Sequence, residues 1–303
     1  MKAREPDGTG VVRRDGVGIA WQVYGEQARD GDPAVLLLPT WCLLPAAVWK
    51  LQVPFLARRT RVITFDPRGN GLSDRPRNAE AYRREELVRD ALDVLAATGT
   101  SRAVVVGFSA GNAPALDLAA EHSGLVAAWV AIAPSIHGLG SYPEERATAF
   151  DRWNQDTGHD EGWGRYNRYS WIRDYRGFTE FFFDQLVPEP RSTKLVEDLL
   201  AWSAGTDGKT LVRAEILRRP SPRTVEEQCA DVTCPVVVVH GTEDHIVPYD
   251  HGVRLAELTG GSVVTFEGSG HMPQGRDPVA VNRLLDEVLS AAAAPRGVTR
   301  GRR

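Results

Sequence analysis

Short, almost purely apolar runs that alternate with helix-periodic stretches constrain the fold of this chain more than any other feature of its sequence. Runs of this kind are expected of strands that are buried on both faces of a sheet. The apolar runs cover residues 34–38, 61–65, 103–106, 125–133, 236–239 and 263–266, and the helix-periodic stretches cover residues 85–97, 112–121, 250–258 and 278–294. The alternation predicts the α/β class, with a mostly parallel sheet and helices on both faces.

A hairpin is predicted in front of this pattern. The turn-forming residues Arg14-Asp15-Gly16 lie between the apolar positions 11–12 and the apolar segment 19–24. Two strands joined by a tight turn have this arrangement. The chain is therefore expected to open with an antiparallel pair of strands.

Composition and charge argue against several classes of protein. Hydrophobic residues make up 42% of the chain and charged residues 25%, as in globular proteins and unlike disordered or collagen-like chains. The net charge of −4 argues against nucleic acid or an anionic membrane as a partner. No segment approaches the roughly 18 apolar residues of a membrane span, and the first residues lack the apolar core of a secretory signal. We therefore expect a cytoplasmic protein, with Cys42, Cys229 and Cys234 as buried packing residues.

The strand and helix alternation is interrupted between residues 137 and 230, where the sequence is helix-like and aromatic. Thirteen of the chain's 24 aromatic residues fall in this segment, among them Trp171 and Phe182. Ligands of parallel α/β sheets usually bind at the carboxyl ends of the strands, so we interpret the segment as a lid over that edge. The alternative is a second subdomain whose aromatic residues fill only its own core.

Residues 107–111 read Gly-Phe-Ser-Ala-Gly, a GxSxG pattern between the 103–106 strand and the 112–121 helix. A sharp turn from strand to helix lifts the serine above the sheet and strains its backbone. Side chains in place of Gly107 and Gly111 would collide with the neighbouring strand and helix. The helix N-terminus also favours negative charge that develops at the serine. Ser109 is therefore the candidate nucleophile, and a serine that only caps the helix is the alternative.

A serine nucleophile needs a base, and the base needs an acid that orients it. His271 follows the 263–266 strand within a loop of small residues, and Asp244 follows the 236–239 strand. Both are thus predicted at the same edge of the sheet as Ser109. Glu243 competes with its neighbour Asp244 for the role of the acid. Three further histidines are not assigned a role in the reaction: His240 and His245 are expected to be structural, and His251 is expected to face solvent.

These motifs resemble those of serine hydrolases of the α/β-hydrolase fold superfamily, such as esterases and lactonases. The resemblance extends from about residue 11 to residue 294 and rests on four segments: GFSAG at 107–111, GTEDHIVP at 241–248, GSGHMP at 268–273, and DPRGNGLS at 66–73, which is similar to the D-x-R-G-x-G-x-S turn of the family. It implies Ser109 as nucleophile, His271 as base and Asp244 as acid, with no metal and no organic cofactor. It also implies an eight-stranded sheet that has an antiparallel strand near its start.

The resemblance and the interruption together divide the chain. The core of the hydrolase fold is expected in residues 1–136 and 231–294, and the helical cap or lid in residues 137–230. Residues 295–303 are basic and are expected to form a disordered tail. No sequence feature indicates an oligomeric state.

Acyl transfer also requires an oxyanion hole. One donor is expected to be the backbone N–H of Ala110, the residue after the nucleophile. The second comes from the loop after the 34–38 strand, where Pro39-Thr40 replaces the usual His-Gly pair of the family, so that the N–H of Trp41 takes this place. Thr40 offers an additional hydroxyl donor, and the replacement leaves a different reaction open. Substrate contacts are expected from Thr40, His137, Trp171 and Phe182.

The leading hypothesis is hydrolysis of a carboxylic ester or lactone through an acyl-enzyme. The aromatic lid favours a bulky, hydrophobic small molecule, and macrolactones are among the candidates. C–C bond hydrolases, lyases and cofactor-free haloperoxidases of the superfamily keep a serine triad and are alternatives, as is a non-catalytic ligand receptor. Epoxide hydrolases and dehalogenases of the superfamily use an aspartate nucleophile, and Ser109 argues against both.

Overall fold

A single sheet of eight strands forms the centre of the computed structural model, which describes residues 4–26, 32–158, 161–216 and 221–293. The strands are β1 (Gly8–Arg14), β2 (Val17–Tyr24), β3 (Ala34–Leu37), β4 (Val62–Phe65), β5 (Ala103–Phe108), β6 (Val126–Ile132), β7 (Val236–Gly241) and β8 (Ser262–Phe266). Their order in the sheet is β1-β2-β4-β3-β5-β6-β7-β8. Among the described strands, β2 alone runs in the direction opposite to all the others. The predicted eight-stranded, mostly parallel sheet is confirmed.

The opening hairpin is also confirmed. Asp15 and Gly16 adopt φ values of 51° and 79°, the left-handed conformation that two-residue turns between antiparallel strands use. Arg14 pairs with Val17 across this turn, and β2 continues into the sheet by pairing with β4. The hairpin therefore extends the parallel part of the sheet at one edge.

Helices cover both faces of the sheet, as the alternation predicts. Those in the described residues are α1 (Val53–Leu56), α2 (Arg84–Ala97), α3 (Asn112–Glu121), α4 (Glu144–Asp151), α5 (Arg168–Arg173), α6 (Tyr175–Leu186), α7 (Thr193–Ser203), α8 (Gly208–Ile216), α9 (Val225–Ala230), α10 (Tyr249–Thr259), α11 (Pro273–Arg276) and α12 (Pro278–Ala293). Short 3-10 helices span Ala46–Trp49, Ala79–Tyr82, Ser109–Gly111 and Gly162–Arg165.

The two faces of the sheet carry two separate hydrophobic cores. Val35 and Leu37 of β3 pack in one core with residues of α1 and α12. Leu36, which lies between them in the strand, packs in the other core with residues of α2, α3, α9 and α10. Successive side chains of a strand point to opposite faces, so a strand with two buried faces must be apolar at every position. This explains why the strands appear in the sequence as unbroken apolar runs.

Helices α4 to α9 lie between β6 and β7, and no strand interrupts them in the part of this segment that the structure describes. We call residues 137–230 the cap. Aromatic residues of the cap, including Trp171, Phe178 and Phe183, belong to the same hydrophobic core as Val35 and Leu37. Its action as a lid and the division of the chain into core and lid stay predictions. The predicted disordered tail, 295–303, lies outside the described residues.

Two further expectations concern the cysteines as buried packing residues and the lack of a membrane-spanning segment. Cys42, Cys229 and Cys234 are all buried, and none of them forms a disulfide, as expected of packing residues. Burial raises the pKa of the Cys229 thiol to about 11 and that of Cys42 higher still. No helix within the described ranges combines the length and the apolar character that crossing a bilayer requires.

Candidate active site

Ser109 lies at the sharp connection between β5 and α3 and has a strained backbone. Its φ of 51° is in the left-handed region, which residues other than glycine rarely adopt. A Cβ atom on Gly107 would lie 2.4 Å from Oδ1 of Asn112, and one on Gly111 would lie 2.5 Å from the carbonyl oxygen of Pro39. Both glycines of the motif are therefore required by close approach, as the sequence predicts. The half-buried Ser109 is presented at the carboxyl end of the sheet.

Asn112, which sequence reasoning did not single out, fastens this turn to the neighbouring strand. Its Nδ2 donates to the carbonyl oxygens of Ser109, at 3.1 Å, and of Ile132, at 3.0 Å. Its Oδ1 accepts from Nε1 of the fully buried Trp129 at 3.2 Å. The asparagine is fully buried, and three of its hydrogen bonds are satisfied. Asn112 therefore links the strained backbone of Ser109 to Ile132 and Trp129 of β6.

Asp244 and His271 are in direct contact at the same edge of the sheet. Nδ1 of His271 lies 2.7 Å from Oδ2 of Asp244, and both side chains are fully buried. An ionised carboxylate only accepts hydrogen bonds, so Nδ1 carries the donated proton. Nε2 of His271 is buried and has no hydrogen-bond partner among the described residues. The ring of His271 lies 5.2 Å from that of Phe108, centroid to centroid, which brings it beside the residue before Ser109.

The carboxylate of Asp244 is fixed by three further donors. Its Oδ1 accepts from the backbone N–H groups of Ile246, at 2.7 Å, and Val247, at 2.8 Å. Its Oδ2 also lies 3.0 Å from Nε2 of His240. The same nitrogen lies 3.1 Å from the carbonyl oxygen of Val247, which can only accept, so Nε2 of His240 carries a proton. Oδ2 of Asp244 therefore receives hydrogen bonds from two histidines.

These donors decide the charge state of Asp244. Burial alone would raise its pKa, but His271 and His240 oppose burial through their charge and their hydrogen bonds, and the net pKa lies below the ordinary value. The acid is thus ionised at neutral pH and holds the Nδ1–H tautomer of His271. His240 was expected to be structural, and its contact with Asp244 has no signature in the sequence beyond a spacing of four residues. Glu243 is exposed, and the hydrogen bond to His271 is made by Asp244.

The predicted oxyanion donors come from adjacent pieces of backbone. Ala110 lies in the 3-10 turn Ser109–Gly111 directly before α3, and backbone N–H groups at the start of a helix have no partner one turn earlier. The close approach of Pro39 to Gly111 places the loop after β3 against this turn. Thr40 and Trp41 follow in that loop, and both line the same cavity as Ala110. Trp41 and Ala110 therefore line one cavity, and their role as oxyanion donors stays a prediction.

A cavity of about 660 Å³ opens beside this turn, between α3, the loop after β3 and the cap helices α4 and α8. Predicted site residues in its wall are Thr40, Trp41, Ala110 and His137, of which His137 is exposed. The cap contributes the aromatic residues Tyr142, Phe150, Trp153 and Tyr166. Neither Ser109 nor His271 is among the described residues that line this cavity. Ala110, the residue after the serine, does line it.

Trp171 and Phe182 lie outside that wall, in an aromatic cluster behind Trp41. The ring of Trp41 is 5.5 Å from Trp171 and 5.8 Å from Phe182, centroid to centroid. Trp171 is fully buried and Phe182 is 6% exposed. Trp171 also lies 5.1 Å from Tyr166, which lines the cavity. The structure thus places these two predicted substrate contacts behind the cavity wall, where they support Trp41 and Tyr166.

The turn at residues 66–73 is held together by its own side chains. The carboxylate of Asp66 accepts from the backbone N–H groups of Ala46 and Leu72, both at 2.8 Å. The buried Arg68 donates to both oxygens of Asp90, at 2.5 and 2.7 Å. These contacts give Asp66 and Arg68 a structural role in the turn.

Two histidines differ from expectation: His245, expected to be structural, is exposed, and the expectation for His251 is wrong. His251 is 1% exposed instead of facing solvent, and its Nε2 lies 3.1 Å from the carbonyl oxygen of Ser141 in the cap. A Cβ atom on Gly140 would lie 2.7 Å from the imidazole, so the cap loop closes directly over it. A loop from elsewhere in the chain covers this ring, and the periodicity of α10 carries no sign of such a contact.

Comparison with known proteins agrees with this geometry. The family model described as alpha/beta hydrolase fold matches residues 33–278. The chain belongs to this family. Because the match includes β3 to β8 and the cap, it covers the elements that carry Ser109, Asp244 and His271.

Three proteins similar to this chain illustrate the range of names among its relatives. 2-Hydroxymuconate semialdehyde hydrolase of Pseudomonas sp. (strain CF600) is 30% identical over 266 residues, which are 82% of this chain and 83% of that protein. Epoxide hydrolase 1 of Caenorhabditis elegans is 24% identical over 270 residues, and the match spans 80% of this chain but only 61% of that protein. The solved structure of Est816, described as an N-acyl homoserine lactone degrading enzyme, has a TM-score of 0.72 at 25% identity and covers 92% of this chain and 99% of its own.

Proposed function

We propose that this α/β-hydrolase is a serine hydrolase that cleaves a carboxylic ester or lactone through an acyl-enzyme. One observation carries the proposal: Nδ1 of the buried His271 lies 2.7 Å from Asp244, while its Nε2 is buried with no partner in the described part of the chain. A histidine that is oriented by a carboxylate and has a vacant basic nitrogen serves as a general base. Ser109, in its strained turn beside this ring, is the nucleophile that the base serves.

The reaction follows from these assignments. Nε2 of His271 takes the proton of the Ser109 hydroxyl as Oγ attacks the carbonyl carbon. The backbone N–H groups of Trp41 and Ala110 donate to the oxyanion of the tetrahedral intermediate. His271 then gives its proton to the alkoxide oxygen as the C–O bond breaks, which leaves an acyl group on Ser109. A water molecule, deprotonated by the same histidine, releases the acid and restores the serine.

The ionised Asp244 stabilises the positive charge that His271 acquires in each of these steps. Because its Oδ1 is held by two backbone N–H groups, the carboxylate cannot rotate away from the ring. Oriented charges of this kind need no rearrangement when the transition state forms, and this lowers the barrier. The proposal requires neither a metal ion nor an organic cofactor.

The cavity beside Ala110 supports a bulky substrate. Its volume of about 660 Å³ is in the range of sites that enclose drug-sized ligands. The aromatic side chains of Phe150, Trp153 and Tyr166 give it large apolar surfaces, while Thr40 and His137 supply polar groups. One arm of an ester or lactone would lie here with its carbonyl carbon at Ser109. The likeness to Est816 favours lactones among these substrates, and large lactone rings fit the same argument.

A second candidate is hydrolysis of a C–C bond next to a carbonyl group. The 30% identical Pseudomonas protein is named for 2-hydroxymuconate semialdehyde, a compound without an ester bond. The same three side chains can serve both reactions, so the substrate decides between them. A diketone substrate offered beside the esters and lactones distinguishes the two candidates.

The test combines labelling with turnover. Wild-type protein is treated with a fluorophosphonate probe, and the modified peptide is located by mass spectrometry. A separate, unlabelled sample of the wild type is given a panel of esters, lactones and one diketone. We expect labelling at Ser109, turnover of an ester or lactone, and a loss on the order of 10⁶ in kcat for Ser109→Ala. A folded Ser109→Ala variant that keeps a tenth of the wild-type rate contradicts the proposal, and labelling without turnover of any substrate indicates a receptor.

A further inference from the structure

The loop that carries His271 is bound from the cap side by residues 186–189. The backbone N–H of His271 donates to the carbonyl oxygen of Leu186 at 3.1 Å. The N–H of Gly270 donates to Oε1 of Glu189 at 2.7 Å, and the hydroxyl of Ser269 donates to the same oxygen at 3.2 Å. Three consecutive residues of the histidine loop thus each make a hydrogen bond to one short segment of the cap.

Glu189 is placed for this contact at an energetic cost. Its side chain is only 8% exposed, and its Oε2 is buried without a hydrogen-bond partner in the residues described. Among the described residues, the cation within ion-pair distance is Arg276, whose Nε lies 3.9 Å from Oε1. Burying a carboxylate is unfavourable unless donors compensate it. Since the donors come mainly from Ser269 and Gly270, these contacts fix the side chain of Glu189 and the histidine loop against each other.

The packing at Gly270 leaves this loop little freedom. A Cβ atom there would lie 2.4 Å from Cδ of Pro188 and 3.2 Å from Oε2 of Glu189. The backbone of the loop therefore lies directly against the cap segment. His271 is then fixed at two points, by Asp244 at its Nδ1 and by the cap at its backbone, and the two together set the direction of Nε2.

We propose that Glu189 is a positioning residue, whose carboxylate fixes the loop of residues 269–271 and so aims Nε2 of His271 at Ser109. This inference rests on the proposed function. It assigns to the cap a part in the chemical step besides any part in substrate selection. Misplacing a reacting group by about 1 Å can reduce the rate on the order of 10²-fold. A carboxylate that only stabilised the cap would affect the melting temperature and leave the kcat of the folded protein unchanged.

The test separates the effect of side-chain length at position 189 from the effect of its charge. Glu189→Asp keeps the charge but withdraws the oxygen from Gly270, whereas Glu189→Gln keeps an acceptor in place and removes the charge. Glu189→Ala removes both. The matched control is Glu180→Ala, because Glu180 lies on the cap helix α6 with a side chain that is 48% exposed and pairs with the exposed Arg176. Circular dichroism and melting curves establish which variants are folded.

We expect Glu189→Asp and Glu189→Ala to lower kcat by about 10- to 100-fold with little change in KM, since the base is misaligned while the cavity is intact. Glu189→Gln and Glu180→Ala should stay within about threefold of the wild type, because the bonds to the loop survive in both. Labelling of Ser109 by the fluorophosphonate should slow in the same order. The proton in the 2.7 Å hydrogen bond between His271 and Asp244 should give a downfield NMR resonance that can be followed without substrate. Glu189→Asp should shift or broaden this resonance, and Glu189→Gln should leave it in place.

Several results overturn the proposal. Folded Glu189→Asp with wild-type kcat, or with an unchanged downfield resonance, shows that the carboxylate does not position His271. If the kcat of Glu189→Gln is as low as that of Glu189→Asp, the charge of the side chain matters and the position of its oxygen does not. If Glu189→Ala does not fold, the comparison of Asp with Gln decides alone. Failure of the proposed function has a different signature, since the wild type would then not be labelled at Ser109 while the resonance still reports on Glu189.

Discussion

Replacing Asp244 by asparagine exchanges one oxygen for an NH2 group, and the surrounding donors determine how the amide settles. The Oδ1 position faces the backbone N–H groups of Ile246 and Val247, at 2.7 and 2.8 Å. These donors need an acceptor, so the amide oxygen occupies this position. The NH2 group must then take the Oδ2 position, which in the wild type accepts from His240 and His271.

In that position the amide disrupts both histidine contacts. Nε2 of His240 carries a proton that the carbonyl oxygen of Val247 holds in place. This N–H would then face the NH2 group of the asparagine, and neither group can accept a hydrogen bond from the other. His271 can pair with the amide only by turning a lone pair on Nδ1 toward it, which puts its proton on Nε2. A protonated Nε2 cannot accept the proton of Ser109. The equivalent exchange in another serine triad lowers kcat about 10⁴-fold, which corresponds to about 5.4 kcal/mol of transition-state stabilisation.

The assay is turnover of an ester by Asp244→Asn, together with the rate of fluorophosphonate labelling at Ser109. Glu243→Gln is the matched control, because Glu243 is adjacent and exposed and should change kcat by less than about twofold, as surface changes usually do. Circular dichroism confirms that both variants are folded. Asp244→Asn with more than a tenth of the wild-type rate would refute the reasoning, and so would a Glu243→Gln variant that is the more impaired of the two.

Two further predictions concern stability. Burial lowers the pKa of His251, although its hydrogen bond to Ser141 opposes this. The contribution of neutral His251 to the free energy of unfolding should therefore be greatest above pH about 6.5. It should decrease as the pH drops through the lowered pKa. His251→Gln should flatten this decline in urea titrations and the exposed His245→Gln should not; a His251→Gln profile parallel to the wild type contradicts the prediction. Trp171→Ala should cost about 3–5 kcal/mol in the same titrations, because the ring is fully buried, and a loss under about 1 kcal/mol would place Trp171 outside the core.

The fold of this chain could be predicted largely because its strands are buried on both faces. A strand such as β3 needs apolar residues at every position, and this produces a run that no amphipathic helix imitates. The turn at Asp15 and Gly16 has an equally local cause, since its left-handed φ values restrict which residues can stand there. Where the structural requirement lies within a few neighbouring residues, the sequence displays it.

The supports of the candidate site could not be predicted, because they join residues that are distant in the chain. Glu189 and Gly270 are 81 positions apart, and Asn112 and Ile132 are 20 apart. Neither Glu189 nor Asn112 has a residue type or spacing that marks it for its contact. His251 illustrates the same point, since it was expected at the surface and is covered by Gly140 of the cap. The candidate catalytic residues stand in local motifs, whereas the residues that hold them in place depend on tertiary contacts.

The position of each cap residue relative to the cavity decides which substitution can test substrate size. Trp171 and Phe182 lie behind the cavity wall, so their loss would alter stability before it altered selectivity. Ala147 is a better position, because it is half-buried on α4 and lines the cavity. Ala147→Phe directs an aromatic ring into open space instead of a packed core. Ala147→Ser is the matched control, since it changes the residue without filling the cavity.

The proposed function predicts that the wild type has a higher kcat/KM for bulky hydrophobic esters than for acetate esters of the same alcohol. Contacts of the large group in the cavity orient the carbonyl at Ser109, and such remote contacts raise the rate of the chemical step. Ala147→Phe should lower kcat/KM for the bulky esters by at least about tenfold, the effect of a poorly matched apolar group. Acetate turnover and the melting temperature should hardly change, and Ala147→Ser should behave as the wild type. A wild type that prefers acetate, or a folded Ala147→Phe variant with an unchanged preference, would show that the cavity beside Ala110 does not receive the substrate.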